Sequence, residues 1–93
     1  MKILIVEDER LLAGSIEELL RNQGFEAEAV HDGETGLSYA RTGVYDLVIL
    51  DVMMPGKNGY EVAKALRSSH LGTPILMLTA RSGLEDRITG LDA

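Results

Sequence analysis

The chain contains no cysteine and no tryptophan, and its aromatic residues are three tyrosines and one phenylalanine. Without cysteine there is neither a disulfide framework nor a thiolate metal site. The two histidines, His31 and His70, have no partner at ligand spacing and read as surface residues. No apolar run approaches the roughly 18 residues of a membrane span. Basic charge is scarce as well: 9 Lys and Arg stand against 15 Asp and Glu, for a net charge of −6. No Lys/Arg cluster offers the positive footprint that nucleic acid or an anionic membrane requires. The opening Met1-Lys2-Ile3-Leu4-Ile5-Val6 runs directly into acidic residues, whereas a signal peptide has a longer apolar stretch and a small-residue cleavage site. The expectation is a cytoplasmic protein that makes no direct contact with membrane or nucleic acid through this segment.

What is present is an ordinary globular composition, 45% hydrophobic and 26% charged, which argues against disorder. Ninety-three residues suit one small domain over residues 1–93. Ile3 to Val6 reads as a buried strand, and Asp8 is placed to cap the helix after it. Leu12, Ile16, Leu19 and Leu20 recur at helical spacing until Gly24. Phe25 to Val30 alternates like a strand near an edge, and Asp32-Gly33 opens a short helix carrying Leu37, Ala40 and Val44. Asp46 to Leu50 is a strand buried on both faces. Pro55-Gly56 and Asn58-Gly59 form a loop before a helix with Val62, Ala63 and Leu66 on its inner side. Ile75 to Leu78 is a fourth strand, and Leu84, Ile88 and Leu91 continue at helical spacing. This alternation of apolar strands with helices predicts an α/β fold, a doubly wound parallel sheet with helices on both faces.

In such folds ligands sit beyond the carboxyl ends of the strands. The stretch "VILDVMMPG" puts Asp51 at one of those ends, and Glu7-Asp8-Glu9 comes directly after another. A carboxylate at the end of a buried strand is costly unless it is paired, hydrogen-bonded or bound to a cation. Three such groups, Glu7, Asp8 and Asp51, would meet at one end of adjacent strands, where like charges repel unless a cation joins them. Oxygen ligands alone favour a hard ion, and Mg²⁺ fits best because it takes one or two carboxylates and leaves room for a substrate phosphate. Thr79 closes the fourth strand with a hydroxyl that could meet such a group. Each residue also has a plainer reading: Asp8 and Thr79 as helix caps, Asp51 as a turn residue, Glu17 and Glu18 as a solvated helix face, Met53 and Met54 as packing residues.

Taken together, Glu7-Asp8, "ILDVMMPGKNGYEV" and "PILMLTAR" resemble the receiver domain of a bacterial two-component response regulator of the winged-helix transcription-factor subfamily. The resemblance implies a flavodoxin-like sheet with strands in the order 2-1-3-4, a topology well described for receivers. It implies that Asp51 accepts a phosphoryl group from a sensor histidine kinase. Asp8, Asp51 and the backbone carbonyl of Met53 would hold Mg²⁺, with Glu7 acting through water and Thr79 as the switch hydroxyl. Met53 and Arg81 would tune the lifetime of the phosphoryl group. Receivers continue into a fifth strand, a lysine-proline pair and a fifth helix, so the chain is expected to be a receiver truncated before them, lacking the phosphate-contacting lysine. The alternative reading is therefore a non-switching fragment that mainly self-associates, through the fourth strand or through apolar surface near Leu12, Ile16 and Leu19. Two enzymatic or ligand-binding rivals fit less well. A phosphohydrolase with an aspartate nucleophile needs an acid two residues on, where this chain has Met53. A nucleotide binder needs phosphate donors at a helix N-terminus, where this chain has Glu7-Asp8-Glu9.

Overall fold

Short β-branched and leucine-rich runs alternate here with amphipathic segments, and each run has become a strand. A computed structural model describes residues 1–54, 58–69 and 71–78. The elements are β1 (Lys2–Val6), α1 (Arg10–Asn22), β2 (Glu26–Val30), α2 (Gly33–Ala40), β3 (Leu47–Asp51), α3 (Gly59–Ser68) and β4 (Ile75–Leu78). The strands form one sheet in the order β2-β1-β3-β4, with every neighbouring pair parallel. No helix among the described residues is long and apolar enough to cross a membrane.

Because side chains alternate across a strand, each strand feeds two apolar layers. Leu4, Val6, Val48, Leu50, Ile75 and Met77 face one side, with Leu37 and Ala40 of α2 and Val62, Ala63 and Leu66 of α3. Ile3, Ile5, Ala27 and Ile49 face the other, where Ile16 and Leu20 of α1 pack. Two helices thus lie over one face and one over the opposite face. β2 is an edge strand, as its alternation suggests, with exposed Glu26 and Glu28 flanking buried Ala27.

Several local expectations are corrected. The N-cap of α1 is Glu9, which makes no side-chain capping bond, so Asp8 is not a helix cap. The inner stripe of α1 is buried Ala13 with half-buried Ile16 and Leu20, while Leu12 and Leu19 are exposed. Val44 lies beyond the end of α2 and is exposed. Asp46 precedes β3, where its carboxylate accepts the Lys2 N–H at 2.7 Å. Other readings hold: Gly24 ends the first helical segment with φ +93, and Asp32 caps α2 by accepting the Thr35 N–H. Thr79, Arg81 and the helical spacing of Leu84, Ile88 and Leu91 lie outside the described residues, as do Pro55-Gly56 and His70. The exposed Gly14 has no close neighbour, and nothing in the structure explains it.

Candidate functional site

The strand register brings the acidic residues together. Val6 pairs with Leu50 on one side and Val30 on the other, so the next rung runs His31, Glu7, Asp51, and Asp51 pairs in turn with Leu78. Residues distant in the chain thereby share one row at the carboxyl edge of the sheet. Asp8 sits at the turn immediately beyond. Glu7, Asp8 and Asp51 each offer a carboxylate oxygen, and these atoms lie within 4.8 Å of one another.

Glu7 and Asp51 are the buried charged side chains among the described residues, at 5% and 7% exposure, while Asp8 is half-buried. Their local contacts are main-chain donors. Glu7 Oε2 accepts the Glu9 N–H at 2.9 Å, and Asp51 Oδ1 accepts the Met53 N–H at 3.1 Å. Burial is the main reason the Glu7 carboxyl is pushed up from 4.5 to about 7, with the Asp51 and Asp8 carboxyls adding to it against the Glu9 N–H. Burial also raises Asp51, opposed by the Met53 N–H. An ion pair joins Arg21 to Glu17 along α1, away from this cluster. The cluster thus concentrates negative charge that no described basic side chain offsets. An all-oxygen, three-carboxylate set of this kind suits a hard divalent cation such as Mg²⁺.

The backbone around Asp51 is held closely. The Gly59 N–H donates to the Val52 carbonyl at 3.2 Å. A Cβ at Gly59 would collide with the Asp51 carbonyl oxygen and lie 2.9 Å from Val52 Cα. Asn58 caps α3 reciprocally with Glu61, which fixes the helix start against the end of β3. Met54 is buried in the core, whereas the Met53 side chain is exposed rather than packed.

Sequence reasoning underrated His31. It is half-buried, and its Nδ1 lies 3.0 Å from the Glu7 carbonyl oxygen. Its place directly after the second strand, at the same edge as the acids, was the available signal.

Residues 3–93 match the sequence profile of the response regulator receiver domain. The chain is 46% identical over 92 residues to the transcriptional regulatory protein DltR of Streptococcus agalactiae, covering 99% of this chain and 41% of that protein. It therefore spans less than half the length of that curated relative. Among solved structures, the receiver domain of the Francisella response regulator 1452 superposes with a TM-score of 0.85 at 31% identity, covering 98% of this chain and 75% of that one. The response regulator TrrA of Thermotoga maritima, solved in complex with Mg²⁺-BeF, gives 0.82 at 41% identity over 87% of this chain and 70% of that one.

Proposed function

Because this chain belongs to the response regulator receiver domain family, we propose that it is a phosphorylation-dependent signalling switch in which Asp51 accepts a phosphoryl group from a sensor histidine kinase. The observation that carries the reading is the convergence of Glu7, Asp8 and Asp51 at the carboxyl edge of the two central strands. Met53 N–H engages Asp51 Oδ1, which orients the carboxylate and leaves its second oxygen as the nucleophile. That oxygen forms a bond to phosphorus as the bond to the histidine nitrogen breaks, and the nitrogen keeps the electron pair and takes up a proton. Asp8, Asp51 and the Met53 carbonyl, with Glu7 through water, would hold a Mg²⁺, which would supply the charge neutralisation that lets a phosphoryl anion approach. Thr79 takes the part of the hydroxyl that binds the transferred group. The domain is a regulatory acceptor rather than an enzyme acting on a separate substrate. By likeness to transcriptional regulators, its output is control of transcription through a parent protein.

Two measurements test this. Mg²⁺ at a tenfold excess over its dissociation constant stabilises the folded state by about 1.4 kcal/mol, and Asp51→Asn loses most of that gain. Intact-mass analysis after acetyl phosphate treatment shows an adduct of one phosphoryl group in the wild type and none in Asp51→Asn. Wild-type protein with no Mg²⁺-dependent shift, or an adduct that survives Asp51→Asn, would overturn the proposal.

Self-association is the second reading, favoured by exposed Leu11, Leu12 and Leu19 on α1 and by the place of β4 at the end of the described sheet. Exposed strand edges and apolar faces both invite pairing with another chain.

A further inference from the structure

We infer that His31 is a positioning residue: its ring closes the last rung between the first two strands and thereby holds the Glu7-Asp8-Glu9 turn in the geometry that binds a cation. The inference rests on the Mg²⁺ reading above and goes beyond it by assigning a residue that makes no contact with the ion. The rung before it is an ordinary main-chain bond, Glu7 N–H to the Val30 carbonyl at 3.0 Å. A regular parallel ladder would next bring a main-chain N–H of the neighbouring strand to the Glu7 carbonyl. Here no main-chain N–H is recorded on that carbonyl among the described residues, because the chain leaves the ladder at Asp32 to enter α2 as its N-cap. The imidazole Nδ1 stands at 3.0 Å from that carbonyl instead. A carbonyl only accepts, so Nδ1 carries the hydrogen.

The consequence lies in the bonds of Glu7. Its N–H is fixed by Val30, its Oε2 by the Glu9 N–H at 2.9 Å, and its carbonyl by His31. The peptide plane between Glu7 and Asp8 contains that carbonyl, so the bond to His31 sets the direction in which Asp8 leaves the strand. Partners one step removed from a metal orient its ligands, and their loss commonly lowers affinity by about tenfold or more.

The test compares wild type with His31→Ala, His31→Asn and His31→Gln. The Asn side-chain nitrogen stands near the Nδ1 position, whereas the Gln nitrogen stands near Nε2. Isothermal titration with Mg²⁺ is expected to show binding weakened about tenfold in His31→Ala, largely restored in His31→Asn and left weak in His31→Gln. Amide hydrogen exchange without Mg²⁺ is expected to speed up at Glu7 and Glu9 in His31→Ala and to recover in His31→Asn. Wild-type affinity in His31→Ala, or no recovery in His31→Asn, would overturn the inference. If the wild type itself ignores Mg²⁺, the functional reading fails on its own account. Exchange at Glu7 and Glu9 then decides the positioning role, and rates unchanged in His31→Ala overturn it.

Discussion

At the scale of single residues, the site is costly to the protein that carries it. Glu7 is buried beside Asp51 and Asp8, and its carboxyl is raised from 4.5 to about 7. Between those values the folded state binds more protons than the unfolded state, so stability falls as pH rises through that window. Thermal melts without divalent cations should therefore show the midpoint dropping from about pH 4.5 to about pH 7. Glu7→Gln, which cannot ionise, should flatten the profile, and a profile unchanged by that substitution counts against Glu7 as its source. Gly59 answers to a different constraint. With the Asp51 carbonyl and Val52 Cα standing where a side chain at Gly59 would begin, Gly59→Ala forces backbone apart. We expect a loss of roughly 1–3 kcal/mol in chemical denaturation, together with weaker Mg²⁺ binding because Asp51 moves.

Elements bring a second set of forces. α3 starts with a capping box, Asn58 accepting the Glu61 N–H at 3.0 Å while the Glu61 carboxylate accepts the Asn58 N–H at 2.9 Å. α2 starts with Asp32, whose carboxylate accepts both the Thr35 N–H at 2.7 Å and the Thr35 hydroxyl at 2.9 Å, bonds that hold it below the usual carboxylate range. Removing the Asn58 cap should cost about 1 kcal/mol, and removing the Asp32 cap should also destabilise its helix. Their consequences for the site should differ. Asn58→Ala loosens the helix start packed on the end of β3 and so should also lower Mg²⁺ affinity. Asp32→Ala should reduce stability while changing Mg²⁺ affinity less, and equal losses of affinity in both variants would refute that distinction. α1 has no such side-chain cap, and its attachment depends on Ala13, Ile16 and Leu20.

For the whole molecule, the two faces of the sheet are unequally covered among the described residues. The face under α2 and α3 holds the larger core, with Leu4, Val48, Leu50 and Ile75 fully enclosed. On the other face only α1 packs, and Leu12 and Leu19 remain 40% and 60% exposed. Burying a large apolar side chain contributes roughly 1.5–3 kcal/mol, the driving force that the proposed pairing between copies would draw on. Sedimentation velocity over a concentration series should show association, reduced in the double variant Leu12→Lys, Leu19→Lys. A concentration-independent monomer would refute it.

The strands and their faces were legible in the sequence because burial on both sides demands unbroken apolar runs, as in Ile3 to Val6 and Ile75 to Leu78. The candidate acids were legible too, since Glu7, Asp8 and Asp51 lie at or just past the ends of such runs. Helix periodicity was less decisive. An exposed leucine and a buried one look alike until the packing partner is known, so spacing alone could not tell covered Ile16 and Leu20 from uncovered Leu12 and Leu19. Only the tertiary structure decided the register that sets His31, Glu7 and Asp51 on one rung. Alternation between a buried and an exposed face is what pins a register, and β1 and β3 are buried on both faces, so their sequences carry little of that signal. The same pairing turned His31 from a surface residue into the donor at the Glu7 carbonyl, because its partner exists only once the first two strands lie side by side.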